Sequence, residues 1–446
     1  MRWAEPDVRP PRSTPHRAAI AVAFAVSLPG LVVAVGSGHP GGAGGAALFG
    51  VAIVGAAFLL AWAAEALQLD VSQGLALALL ALIAVLPEYV VDVTFASKAA
   101  TDPARYAPLA LANMTGSNRL LIGIGWTAVV LIAAWRIKRI ARSQGYEGEL
   151  DTDVHLDRTH AIEIGFLAAA TAYSLTLPLK NHLTLFDSAM LVTLYVAYVW
   201  RISRAPAETP HLVGPARLLG ELPTRTRRVV VGIILAYAAA VIVSCAGPFA
   251  NALVDTGRDL GISTFLLVQW LAPLASEAPE LVVACLFAWR LNTNGALGTL
   301  VSSKVNQWTL LVGTLPIVFV VAGGAASGLP LDRVQREELF LTAAQSAFAV
   351  AILANRRISV REAWTLFTLF MAQFVLGAVL PEELRQWERL GVGIVYLGLT
   401  VVILLRDRGR LRTLGRDAFR TPAEGLAAGD PDPEASNAGP TPGRPA

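Results

Sequence analysis

Residues 82–92 read LIAVLPEYVVD, and residues 272–284 read APLASEAPELVVA. Each stretch sets a Pro-Glu pair, Pro87-Glu88 and Pro279-Glu280, inside an apolar run and follows it with two valines. Proline removes a helical hydrogen bond and clashes with the carbonyl four residues back, and a carboxylate is costly in lipid. The same anomaly occurring twice marks an internal repeat. The echo extends in both directions. Downstream, LANMTGSNRLLIGIG (111–125) pairs with LGTLVSSKVNQWTLLVG (297–313), matching Ser117 with Ser303 and Asn118 with Lys304. Upstream, EALQLDVSQGLALALLAL resembles ALVDTGRDLGISTFLLVQWL.

Composition says where such a repeat resides. The chain has 446 residues, 54% hydrophobic and 15% charged, with a mean hydropathy of +0.55. Soluble domains carry about 25% charged residues, so the chain belongs to the membrane class. Twelve apolar runs, near 18–36, 45–67, 73–97, 106–135, 160–179, 183–200, 229–251, 262–289, 295–323, 338–354, 362–380 and 390–405, each approach the ~20 residues a membrane helix needs. Strand-like alternation is absent, and backbone satisfaction in lipid then predicts an all-α integral membrane protein of about 12 transmembrane helices. A net charge of +3 is too small to suggest nucleic acid. The Walker pattern is absent, which argues against ATP drive. Cys245 and Cys285 lie in apolar runs without metal or redox spacing and read as buried small residues. The six histidines fall in or beside polar segments, away from any intramembrane metal site.

Lys and Arg orient the bundle. With the N-terminus in the cytoplasm, inside segments hold 26 of these residues and outside segments 8, and every large basic cluster lies inside. Arg119 and Lys304 fall within spans. The organisation expected is a cytoplasmic segment (1–17), an extra helix (18–36), a first repeat (45–200), a cytoplasmic loop (201–228), a second repeat (229–380), an extra C-terminal helix (390–405) and a disordered tail rich in Pro, Gly, Ala and Asp (421–446). Both termini are expected in the cytoplasm. Run 18–36 has the basic lead-in of a signal sequence but is long for one, and reads as a retained helix. The acidic loop 143–158 reads as solvated. The Ala/Gly/Arg-rich composition fits a high-GC bacterial genome and hence the cytoplasmic membrane.

The two Pro-Glu helices are five spans apart, so they cross the membrane in opposite directions. An inverted-topology repeat is an architecture of secondary transporters, with the site at mid-membrane. Freed carbonyls and a carboxylate at a helix break suit a hard cation such as Na⁺ or Ca²⁺. Asp92 lies one turn after Glu88, and Glu277 three residues before Glu280, each on one helix face. Glu88, Asp92, Glu277 and Glu280 against Arg119 and Lys304 leave a formal charge of −2, which suits one divalent cation, two monovalent cations or two protons. Ion pairs of Asp92 with Arg119 and of Glu277 with Lys304 are the structural alternative for those four. Glu65 and Glu163, nearer helix ends, read as structural.

These residues resemble the sodium/calcium exchanger superfamily of cation/Ca²⁺ antiporters, whose two inverted five-helix bundles each carry a GTSLPEL-type helix followed by a GNxxGSNxxN-type helix. Here the motifs read IAVLPEY with ANMTGSNRLL, and ASEAPEL with GTLVSSKVNQ. The resemblance covers 45–135 and 230–323. It implies a transporter rather than an enzyme, with Glu88 and Glu280 as ion-coordinating acids and Ser117 and Ser303 as hydroxyl ligands. It also implies that Asn113 supports the helix break, with Ser276 and Gln307 at neighbouring ligand positions. The departures are Ala84-Val85 and Ser276-Glu277 in place of Thr-Ser, Leu121 at a polar position, and Lys304 and Thr299 in place of asparagines.

Neutral ligands are thus lost, one carboxylate is gained and an ammonium sits nearby. Two couplings follow. Either Lys304 or Glu277 exchanges protons, or the Lys304 ammonium occupies a former Na⁺ position. The activity expected is antiport of Ca²⁺ or a related cation against Na⁺ or H⁺, without a cofactor beyond the transported ions. The alternatives are proton-coupled monovalent cation exchange and a transport-inactive membrane scaffold or sensor.

Overall fold

A computed structural model describes residues 13–36, 40–70, 86–146, 148–204, 212, 214–261, 263–406, 408–422 and 425–426. Residues 1–12, Ala84-Val85 and the tail from 427 onward lie outside the described residues, as do 205–211 of the central loop. Among the described residues ten helices are long and apolar enough to cross a membrane. Of the predicted run 73–97, residues 73–85 lie outside the described residues and the rest falls in a helix over Leu86–Ala99. The run 338–354 falls on Arg333–Leu353 and its C-cap Ala354, and the first two turns of that helix carry Arg333, Arg336, Glu337 and Glu338.

In chain order the helices are α1 (Ser13–Val35), α2 (Gly42–Leu67), α3 (Leu86–Ala99), α4 (Pro103–Leu120), α5 (Thr127–Ser143), α6 (Ala161–Ser174), α7 (Leu185–Ile202), the short α8 (Pro215–Gly220), α9 (Thr224–Leu260), α10 (Thr264–Trp289), α11 (Thr293–Asn306), α12 (Val312–Val321), α13 (Arg333–Leu353), α14 (Val360–Val379), α15 (Glu382–Arg406) and α16 (Arg408–Phe419). A π-helical turn, Leu121–Trp126, joins α4 to α5, and another, Gln307–Leu311, joins α11 to α12. Capping boxes start α7 (Thr184 with Asp187), α13 (Asp332 with Gln335) and α14 (Ser359 with Glu362). Each satisfies N-terminal donors that lipid cannot.

Burial is reversed relative to a soluble protein. Glu88, Asp92, Ser117, Arg119 and Lys304 are buried, while Val229, Val243, Val321, Val375 and Val379 are exposed. The exposed face suits acyl chains and the interior holds the polar chemistry. α9 packs along α2, α10 crosses α4, and α13 packs on α15. α1 packs on α2 and α9, with Ser27 Oγ 3.0 Å from the Tyr237 hydroxyl. Cys245 and Cys285 are both free thiols.

The loops meet in a consistent way, each contact pairing segments that the basic residues assign to the same side. On the basic side, β1 (Val154–His155) pairs with β4 (Arg357–Ile358), and Asp153 pairs with Arg357. The acidic loop is therefore clipped to the second half of the chain rather than simply solvated. On that side too, Arg227 forks onto Asp70 at 2.6 and 3.0 Å and holds its carboxyl below the usual aspartate range. On the opposite side, β2 (His182–Leu183) pairs with β3 (Leu329–Pro330).

The segment after the last span folds back as α16. Asp417 accepts two hydrogen bonds from Arg158, both 2.9 Å, and the guanidinium holds the Asp417 carboxyl below its ordinary value. A depressed folded-state pKa gives a contact that is intact above the ordinary aspartate range and is lost as pH falls through the folded value. We expect α16 to stay docked at pH 5 and above and to loosen at more acid pH. Limited proteolysis at residues 406–408 across that range checks this, and Asp417→Asn is expected to be cleaved equally at all pH values.

Candidate functional site

The described part of the first Pro-Glu helix begins at Leu86 and carries Pro87 and Glu88. In the second copy the prolines lie well inside α10. Pro273 and Pro279 lack N–H groups, so the carbonyls of Gln269 and Ala275 lose their helical donors.

The partner helices hold the serines at matched places. Ser117 and Ser303 each lie four residues before the start of a π turn, at Leu121 and Gln307. A π turn inserts a residue and shifts helix register, and such turns are common at functional sites. It is the strongest structural correspondence between the two halves, and it falls where the sequence echo is densest.

Between these four helices lies a set of buried oxygens that accept no hydrogen bond among the described residues. They are Glu88 Oε2, Asp92 Oδ2, Asn113 Oδ1 and Ser117 Oγ from the first half, and Glu277 Oε2, Glu280 Oε2, Ser303 Oγ and Gln307 Oε1 from the second. Glu88 lies beside Ser276 and Glu277, and Glu280 beside Ser303. Buried acceptors are ordinarily satisfied, and carboxylate, amide and hydroxyl oxygens left with free lone pairs suit a cation. Among the described residues no three His, Cys, Asp or Glu side chains form a cage by themselves. An ion here would therefore take hydroxyl and amide oxygens as well as carboxylates. Glu280 is partly exposed, whereas Glu88, Asp92 and Glu277 are buried.

The remaining predicted residues are placed as follows. Asn113 Nδ2 donates to Asp92 Oδ1 at 2.7 Å. Gln307 donates to Glu277. Ser276 Oγ donates to the carbonyls of its own helix at Ala272 and Pro273, each 3.2 Å, leaving lone pairs for a neighbour.

Both ion pairs of the structural alternative are replaced. Arg119 does not pair with Asp92; it meets Glu338 of α13 at 2.7 Å and lies 5.0 Å from the Trp270 ring centroid. Two residues separate Arg119 from Ser117, about 200° around the helix, so it points away from the oxygen cluster. Lys304 does not pair with Glu277. Its Nζ donates to the backbone carbonyl and the Oδ1 of Asn118, both at 2.7 Å, and lies 5.5 Å from the Trp308 ring centroid. With Arg119 neutralised by Glu338, the cluster carries a formal −3 in place of −2.

Sequence reasoning missed the surroundings of Arg119. Gln269 Nε2 donates to Glu338 Oε2 at 2.9 Å, and Arg389 of α15 pairs with Glu337 at 2.7 Å. A cavity of about 830 Å³ opens over this network, lined in part by Gln269, Trp270, Glu338, Gln373 and Glu388. Glu337, Glu338 and Arg389 sit near the ends of apolar runs, where charges read as headgroup-level residues. The sequence signal was the pair of adjacent acids, Glu337-Glu338, at the edge of an apolar run.

A family model described as sodium/calcium exchanger protein matches residues 41–203 and 230–378, the two halves that carry the Pro-Glu helices. Comparison with curated proteins returned no match. Among solved structures, the crystal structure of an H⁺/Ca²⁺ exchanger, CAX, is 40% identical over 91% of this chain and 99% of that one, with a TM-score of 0.81. Native YfkE shares the fold at 15% identity, covering 86% of this chain and all of that one, with a TM-score of 0.56. A match over most of the chain, together with a 40% identical relative covered almost end to end, shows that this multi-pass membrane protein belongs to the sodium/calcium exchanger family.

Proposed function

We propose that the chain is a secondary antiporter that moves Ca²⁺ in exchange for protons across the cytoplasmic membrane. One glutamate from each half, Glu88 and Glu280, holds the ion between the halves as they alternate in access. The observation that carries this reading is the cluster of donor-free buried oxygens contributed equally by both halves. Family membership and the 40% identity to a protein described as an H⁺/Ca²⁺ exchanger support cation antiport. Both termini are proposed to lie in the cytoplasm on the positive-inside bias.

The protons are carried by the carboxylates rather than by Lys304. Its ammonium donates to a backbone carbonyl and an amide oxygen, which are the oxygen ligands a Na⁺ ion would take. Lys304 thus acts as a resident cation at a position where an asparagine-containing relative would leave room for a mobile one. A formal −3 is offset to the same extent by one Ca²⁺ as by two protons. Exchanging one for the other keeps the charge of the crossing form constant, which a low-dielectric path favours.

In proteoliposomes we expect ⁴⁵Ca²⁺ uptake to follow an imposed pH gradient and to ignore an imposed Na⁺ gradient. Lys304→Asn is expected to retain proton-driven uptake and to acquire sensitivity to Na⁺. Uptake driven by Na⁺ alone in the unaltered protein rejects proton coupling, and loss of all proton drive in Lys304→Asn returns the proton to the lysine. Rubidium or Na⁺ uptake against protons, with Ca²⁺ neither carried nor competing, assigns the protein to monovalent exchange.

A further inference from the structure

α15 leaves the membrane at Arg406, and α16 begins at Arg408. One residue separates the two in sequence, so α16 starts at the end of a candidate membrane span, on the arginine-rich side. Its rotation is also fixed. Leu414, Asp417 and Ala418 are buried, Asp417 is held by Arg158, and Arg201 donates to the carbonyls of Ala418 and Thr421. Ala418 rests directly on Gly165 of α6, where an added Cβ would come within 2.3 Å of the Ala418 methyl. With that face committed, the other presents Arg412, Arg416 and Arg420, four residues apart and all exposed. The exposed Leu411 and Phe419 flank the stripe. Among the described residues one acid touches it, Asp417 Oδ1, 3.6 Å from Arg416 Nε.

We propose that this face of α16 binds the headgroups of anionic phospholipids in the adjoining leaflet. Three guanidiniums in a row with apolar neighbours, held at headgroup level by the preceding span, match a surface of phosphate charge over acyl chains. Guanidinium forks suit phosphate oxygens better than point charges do. The end of α7 carries an interfacial anchor of the same kind, Arg204 over Trp200 at 3.8 Å.

The contact reaches the transport helices through the turn that Arg158 occupies. The Asp157 N–H donates to Asn294 Oδ1 at 2.8 Å in the first turn of α11, and the His160 ring packs against Gly298 of α11. α11 carries Ser303 and Lys304. Lipid held on α16 therefore holds α6 against the base of α11.

The test uses the full-length protein in maltoside detergent, with thermal unfolding read in the presence of phosphatidylglycerol or phosphatidylcholine at equal mole ratio. Binding, not transport, is read, so the outcome is independent of which ion the protein carries. Phosphatidylglycerol is expected to raise Tm by several degrees and phosphatidylcholine not to. The triple variant Arg412→Gln, Arg416→Gln, Arg420→Gln is expected to keep its Tm in phosphatidylcholine and lose at least about half of the response, since each phosphate contact adds to a salt-screened attraction. A matched triple at the end of α5, Arg136→Gln, Lys138→Gln, Arg139→Gln, is expected to retain the response. The proposal is overturned if the α16 triple responds like the unaltered protein, or if the α5 triple loses as much. It is also overturned if soluble glycerol phosphate reproduces the shift, which would mark a free-anion site rather than a lipid surface.

Discussion

Glu88→Gln and Glu280→Gln are each expected to reduce Ca²⁺ flux to background, a loss of about 100-fold or more. Glutamine keeps the volume of glutamate but removes its charge and puts an NH₂ donor where an anionic oxygen stood. A hard cation with six to eight oxygen ligands depends on anionic ones for affinity. Even residues that only support a ligand change metal affinity about 10- to 100-fold, so a direct carboxylate belongs at or above that range. Folding is expected to be unharmed. Glu88 and Glu280 lie near each other and near Glu277, and removing one of several mutually repelling acids from a functional site tends to stabilise a protein. Flux lost with Tm unchanged or raised separates chemistry from structure. Glu221→Gln, whose partner Arg217 is on the surface, is the control expected to retain full flux. Either site variant keeping more than about a tenth of normal flux at normal expression would sink the two-glutamate site, because a lost direct ligand costs more than that. If neither affects flux, the transport-inactive reading gains the ground.

The expectation rests on features that were local in sequence. Pro87-Glu88, Pro279-Glu280, Ser117 and Ser303 announce themselves because each breaks a rule for apolar helices within a few residues. Which loops share a side was legible too, since the loop contacts join segments that Lys and Arg placement assigns together. What could not be read was which distant group satisfies a buried charge. Arg119 and Asp92 occur in the same half of the chain and have opposite charge, which made them natural partners. Helix geometry instead turns Arg119 toward Glu338, and Asn113 takes its place at Asp92. The π turns were likewise hidden, because packing on both sides of a helix decides whether an extra residue is accommodated. α16 lay between these cases. Its arginines were counted for sidedness, but their four-residue spacing already described one helix face.

Gly116→Ala is expected to destabilise the protein by ~1–3 kcal/mol, the cost of overpacking, and Gly116→Val by more. Gly116 immediately precedes Ser117 where α4 crosses α10. A Cβ built there meets the Gln269 carbonyl oxygen at 1.7 Å, its carbon at 2.8 Å and Pro273 Cγ at 3.1 Å. The Gln269 carbonyl has no helical donor because residue 273 is proline. It faces the Gly116 backbone instead, an approach that only a residue without a side chain permits and that resembles the weak Cα–H contacts of close helix crossings. The carbonyl cannot simply swing aside, since the Gln269 side chain is fixed to Glu338 and the same helix presents Ser276, Glu277 and Glu280. The two helices must therefore part by more than about 1 Å, and adaptation at that price is the origin of the overpacking cost. Propensity acts in the other direction, as Gly→Ala inside a helix gains about 1 kcal/mol where space allows. Gly391 of α15, with nothing within 4 Å of an added Cβ, supplies that comparison, and Gly391→Ala is expected to leave Tm unchanged or raise it. Thermal unfolding monitored by size-exclusion fluorescence reads both, and flux measured below the Tm of Gly116→Ala is expected to fall as well, because parting α4 from α10 moves Ser117 away from the acids of α10. A Gly116→Ala protein as stable as Gly391→Ala would show that the crossing has room to spare and that the freed carbonyl does not set the spacing of the two halves.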